Sequence, residues 1–274
     1  MIRRFVGASV RAICVLALVT APALLLPGQS PSSGLMIPLI ALIAAAFTFM
    51  EYATDYPSFV EFRDAPPFNR LRFGSLFAVV ALTAIICADA IEPTLFTGAM
   101  FSLGLFLGEM ADFPYSPVRL LLIALAETAP VSFLEIALSA AGLALLVSLT
   151  TLAVFALLIR VLNWPLQSGA FNVWVNMPLF DPTSGGDVLL RLRRDARLNV
   201  AMGVLVPFVL PALVALAGAV LGPLYFGDPH TLIWMMSVWA FLPTSMIMRG
   251  IALHRVADLV EEKRRRTYGE LAAA

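Results

Sequence analysis

Residues 51–72, EYATDYPSFVEFRDAPPFNRLR, decide how the rest of the chain is read. They hold seven charged side chains, five aromatics and three prolines. The runs to either side are almost wholly apolar and approach the 20 or so residues needed to cross a hydrocarbon core. A soluble core alternates apolar and polar faces instead, and outer-membrane barrel strands alternate over about ten residues. The contrast is that of a membrane protein, with its water-facing chemistry gathered into connectors.

Composition agrees. Hydrophobic residues make up 60% and charged residues 13% of the 274-residue chain, against about 25% charged on average; mean hydropathy is +0.90. The expected fold is all-α: a polytopic transmembrane helical bundle of about eight spans over 1–250, followed by a charged tail over 251–274. Both cysteines, Cys14 and Cys87, fall in apolar runs and read as packing residues.

Moving outward from 51–72, the segment 34–50 is the span before it. The segment 1–27 is a first helix behind Arg3, Arg4 and Arg11. A signal peptide is the rival reading there, but Pro22 interrupts the small-residue site and leucines follow it, so an uncleaved helix is expected. After the connector come spans at 73–91 and 94–110, the second carrying a GxxxG pair, Gly104 and Gly108, that lets two backbones approach closely. Segment 118–128 is apolar, Pro130 interrupts, and 134–158 is a full span. Either two spans meet near Pro130, or 118–128 is a re-entrant half-helix, which would leave seven spans. The connector 163–199 opens with Trp164, Phe171, Trp174 and Phe180, aromatics suited to headgroup depth. Asp187 then caps a helix that leads into a span at 200–221, with Pro207, Pro211 and a second pair, Gly218 and Gly222. The last span is 231–248.

With the amino end in the cytoplasm and eight crossings, all 18 basic residues fall on the cytoplasmic side, as the positive-inside rule requires. Arginine far outnumbers lysine, a bias of GC-rich bacterial genomes. The expected location is therefore a bacterial inner membrane with both termini inside. Arg191, Arg193, Arg194 and Arg197, with the basic run 263–266, lie close to the bilayer, where attraction to anionic lipid accounts for them; nucleic acid is not an expected partner.

Three sets of candidate residues follow. In 51–72, Ser58 and Glu61 have the spacing of a capping box. A short helix there would turn Phe59 and Phe62 to the membrane face. Tyr52, Tyr56 and Phe68 would be rigid anchors of a docking surface, with Arg63 and Arg70 beside them; the alternative is an interfacial connector whose aromatics sit at the headgroups. Glu51 and Asp55, with Glu109 and Asp112, lie past the ends of two spans and are candidates for a cation or proton pathway, or simply carboxylates paired with Arg63, Arg70 and Arg119. Glu127 and Glu135 flank Pro130, where a broken helix would expose carbonyls to an ion.

The chain has no P-loop, no nucleophile elbow and no H-E-x-x-H pattern. A magnesium-dependent lipid enzyme built on Glu51, Asp55, Glu109 and Asp112 lacks the dense aspartate spacing of that chemistry. No metal site and no cofactor is expected. Two functions lead: a non-catalytic membrane subunit or assembly scaffold, docking a membrane-protein complex or a second copy of itself through its cytoplasmic connectors, and a small permease or channel that uses the carboxylates.

Overall fold

The computed structural model describes residues 2–28, 36–126, 129–162, 164–165, 171–180, 185–221 and 227–273. Among them there is helix and no strand. The elements are α1 Ile2–Leu25, α2 Met36–Ala53, α3 Phe68–Asp89, α4 Leu95–Ala111, α5 Pro117–Ala126, α6 Val131–Val161, α7 Val173–Asn176, α8 Val188–Leu221 and α9 Pro229–Ala273. Six of these (α1, α2, α3, α6, α8 and α9) are long and apolar enough to cross a membrane.

The helix α5 has 10 residues and so reaches about 15 Å at 1.5 Å per residue. That is half of a hydrocarbon core; the two residues that follow, 127 and 128, lie outside the described residues. Its neighbour α4 has 17 residues, or about 25 Å. Thr94 starts α4 with a reciprocal cap: its hydroxyl accepts from Thr97 N–H, and the Thr97 hydroxyl accepts from Thr94 N–H. Thr97 also donates to Asp89 at 2.5 Å, tying the end of α3 to the start of α4.

Small residues set the helix spacing. Gly104 and Gly108 on α4 lie against α6, where an added Cβ would come within 2.4 Å of the carbonyl oxygens of Ser139 and Leu138 respectively. The facing position is Gly142, whose own Cβ would sit 2.2 Å from the Gly104 oxygen. Ser139 is buried here and donates to the Phe101 carbonyl at 2.8 Å. A similar approach joins α8 to α9, the most extensive helix pair: Gly203 faces Pro243 and Ile247, and Gly250 faces Ala196 and Val200. Gly222 lies outside the described residues, as does the environment of Gly218.

Both α8 and α9 are longer than a crossing needs. Their 34 and 45 residues correspond to about 51 and 68 Å, against a core of about 30 Å. The excess forms a stalk. Leu192 and Ala196 of α8 bury against Leu253, Val256 and Ala257 of α9. Arg193 pairs with Glu261 at 2.5 Å, and Arg264 with Asp187 at 2.8 Å. Asp187 also caps α8, accepting from Leu189 N–H at 3.0 Å. Its bond to Arg264 first, and that amide second, hold its carboxyl below the ordinary value.

A lowered carboxylate pKa contributes stability that is complete above the unfolded-state value and lost as pH falls through the folded one. Spin labels at Leu190 and Tyr268, both exposed, are therefore expected to report a narrow distance distribution at pH 6 that broadens at pH 3. Asp187→Asn should broaden it already at pH 6 and shrink the remaining acid response, which Glu261 then carries. Identical distributions at both pH values would refute the role of the pair.

Candidate functional site

The connectors fold together into a cap at one end of the bundle. Arg4 of α1 bonds to Asp55 just past α2. Arg249 of α9 reaches Glu61, and Phe68 at the start of α3 meets Phe155 near the end of α6. The basic amino-terminal turn of α1, the connector 51–72, the end of α6 and the emergence of α9 thus share one end.

Residues 58–64 do not form the helix expected from the Ser58 and Glu61 spacing. The capping carboxylate is Glu51 instead: one of its oxygens accepts from the backbone N–H groups of Ser58, Phe59 and Val60 at 2.6, 2.6 and 2.9 Å. Arg63 folds back over the end of α2 and donates to the carbonyls of Glu51, Thr54 and Asp55 at 3.3, 2.8 and 3.0 Å. It thereby satisfies acceptors that a helix end leaves open.

Phe62 takes a left-handed backbone, φ 53°, which is uncommon for a bulky residue and persists only where its surroundings impose it. Here they do. Asn176 accepts from Phe62 N–H through its carbonyl at 2.6 Å and from Asp64 N–H through its side chain at 3.0 Å. The turn drives the Phe62 ring inward, onto Phe68, Trp164 and Phe171, with centroids 4.7, 5.4 and 6.3 Å away. Trp164 donates its indole N–H to the Ala65 carbonyl at 3.0 Å and accepts from Arg255 through its own carbonyl at 3.1 Å.

Phe62, Phe68 and Trp164 are each 0% exposed. Phe62 and Phe68 therefore do not belong to a docking surface, and Phe62 does not face the membrane; both are the cap's core. Arg63 is likewise spent on carbonyls. Of the expected docking residues Tyr56, Phe59 and Arg70 are exposed and Tyr52 is half-buried beneath Arg11, 4.5 Å from the guanidinium carbon to the ring centre. Trp174 and Leu179 add exposed apolar surface from the second connector.

One ion pair in the cap has a buried carboxylate, Glu61, and a half-buried partner. Arg249 grips Glu61 with two bonds, Nε to Oε2 at 2.5 Å and Nη2 to Oε1 at 2.8 Å. Glu61 is also the carboxylate whose charge reaches Arg72, which lies over the rings of Phe68 and Phe241.

The candidate pathway carboxylates are not brought together. Glu51 is engaged by three amides, and Asp55 is paired with Arg4, whose bond holds its carboxyl below the ordinary value. Asp112 binds Arg119 at 2.5 Å, while Glu109 and Glu135 are exposed. Glu127 lies outside the described residues. The helix α2 packs chiefly on α1 and α4 chiefly on α6, so the two acidic pairs sit on separate parts of the bundle. Among the described residues no group of three metal-ligating side chains gathers, and both cysteines are free.

Sequence reasoning missed Asn176 and the Glu61–Arg249 pair. Nothing local marks either, since their partners lie 112 and 188 residues away.

Fold and site together define an all-helical protein with several membrane-compatible helices, closed at one end by a folded, aromatic-cored polar cap from which a two-helix stalk extends. The chain matches no family model, no curated protein and no solved structure.

Proposed function

We propose that the protein is a non-catalytic subunit or assembly scaffold of a bacterial inner membrane, with both termini and the cap in the cytoplasm, docking a partner through the cap and stalk. The observation that carries this reading is the cap itself. Two connectors far apart in sequence are fixed to each other and to α9 through the Phe62 and Trp164 core. The result is a rigid surface that presents Tyr56, Phe59 and Trp174 to the outside. Preordered aromatic side chains lower the ordering cost of association and are enriched at binding hot spots. A permease gains no comparable support, because the described carboxylates are dispersed rather than strung along a path. The inward orientation rests on the distribution of basic residues.

The test is mild-detergent purification from the native host, with and without Tyr56→Ala, Phe59→Ala and Trp174→Ala combined. A stoichiometric membrane partner is expected to accompany the parent protein and to drop at least tenfold in the triple variant. The variant's melting temperature should be unchanged, because exposed side chains contribute little to stability. A partner retained in full, or none with the parent, would overturn the reading.

A further inference from the structure

A cleft of about 450 Å³ lies between α1, α2, the first connector and α3. All three helices grade it alike. At the cap side stand Arg11 of α1, Tyr52 of α2 and Arg70 of α3; about one turn deeper on each lie Val15, Thr48 and Phe73. The lining holds three arginines, Arg11, Arg63 and Arg70, and no carboxylate. A second cavity of about 430 Å³ adjoins it, sharing Gly7, Arg11, Tyr52 and Arg63 and adding Arg4, Asp55 and Asp64.

The charges there do not cancel. Asp55 is taken by Arg4 and Asp64 by Arg63. Arg11 donates to the Gly7 carbonyl at 2.7 Å and covers the Tyr52 ring, with no carboxylate partner among the described residues. Arg70 is exposed and likewise has none. The Nη2 of Arg4 is buried with no hydrogen-bond partner at all. A buried, unmatched guanidinium donor is costly, and a phosphate oxygen is the acceptor guanidinium groups suit best.

We propose that this cleft is a specific site for one anionic phospholipid. Its phosphate sits between Arg11 and Arg70, beside the unpaired Nη2 of Arg4, and one acyl chain lies along Val10, Cys14 and Phe73 between α1 and α3. The lipid is drawn from the leaflet that meets the cap. The polarity gradient repeated on three helices is that of an amphiphile, whereas an inorganic anion needs only the rim.

The test uses the full chain in detergent with equal amounts of phosphatidylglycerol and phosphatidylcholine, read by native mass spectrometry. One tightly held phosphatidylglycerol is expected. Arg70→Gln, a change at an exposed and unpaired side chain that puts folding at no risk, should lower its retention about fivefold, the worth of one basic residue near an anionic surface. Arg11→Gln should act similarly, and Arg160→Gln, at the exposed end of α6, should have no effect. Equal retention of the two lipids, or unchanged retention in Arg70→Gln, overturns the proposal. Inorganic phosphate is added to the delipidated protein as a separate arm. If it raises the melting temperature as much as the lipid does, with the rise lost in Arg70→Gln, the occupant is free phosphate and the lipid assignment fails.

Discussion

Glu61→Gln is expected to destabilise the protein by about 2–4 kcal/mol, because it strands buried positive charge. Breaking a buried pair by removing one partner costs about 3–5 kcal/mol. Arg249 retains 29% side-chain exposure, so water recovers part of that. The amide keeps the size of the carboxylate and still accepts one hydrogen bond. The loss is therefore mainly electrostatic, and it falls on Arg72 as well, which feels the charge of the same carboxylate. Unfolding in mixed micelles should show it as a lowered midpoint with unchanged slope. Amide exchange should rise together over 58–65 and 171–177, since Glu61 belongs to the turn that Asn176 holds. Adding Arg249→Met to Glu61→Gln should restore part of the stability, because it removes the cation that the first change strands. A stability within about 0.5 kcal/mol of the parent, or a double variant weaker than the single, would show that the pair is not what holds the cap to α9.

That pair also marks where sequence reading stops. The apolar runs, their order and the Gly104 and Gly108 motif are legible because each depends on residues within a few turns of one another. The Asp187 cap is local in the same way. The interior of 51–72 is not. Its S-x-x-E pattern points to a helix cap at Ser58, yet the acceptor that organises the turn is Glu51, outside that window, and the residue that fixes it is Asn176 on another connector. Phe59 and Phe62 look alike as a spacing pair. A positive φ at Phe62 sends one ring into the core and leaves the other 78% exposed. The four carboxylates look like a set because each follows a span, and three-dimensional pairing separates them. Gly142 hides for a different reason: it stands in a run of small residues where no motif singles it out.

Gly142→Val is expected to have the largest effect of any single substitution in the helices. The positions a Cβ would need are occupied by the Gly104 oxygen at 2.2 Å, the Gly108 nitrogen at 2.5 Å and the Gly108 Cα at 3.0 Å. All three are backbone atoms, so no rotamer change relieves the clash, and α4 must move away from α6. Overpacking a well-filled core costs about 1–3 kcal/mol where side chains can adjust. Here they cannot, and the variant should exceed that range. Gly142→Ala already places the offending atom and should fall inside the range or at its top. Separation of the helices also breaks the Ser139 bond to Phe101, which takes from the buried Ser139 hydroxyl its acceptor on α4. Gly74 supplies the control: it lies on α3 with nothing within 4 Å of its Cβ position, so Gly74→Ala should be neutral or slightly stabilising through helix propensity. Thermal unfolding in detergent and disulfide trapping between cysteines placed at 105 and 138 would measure both effects. Equal melting temperatures for Gly142→Val and Gly74→Ala would mean that α4 and α6 do not meet at their glycines.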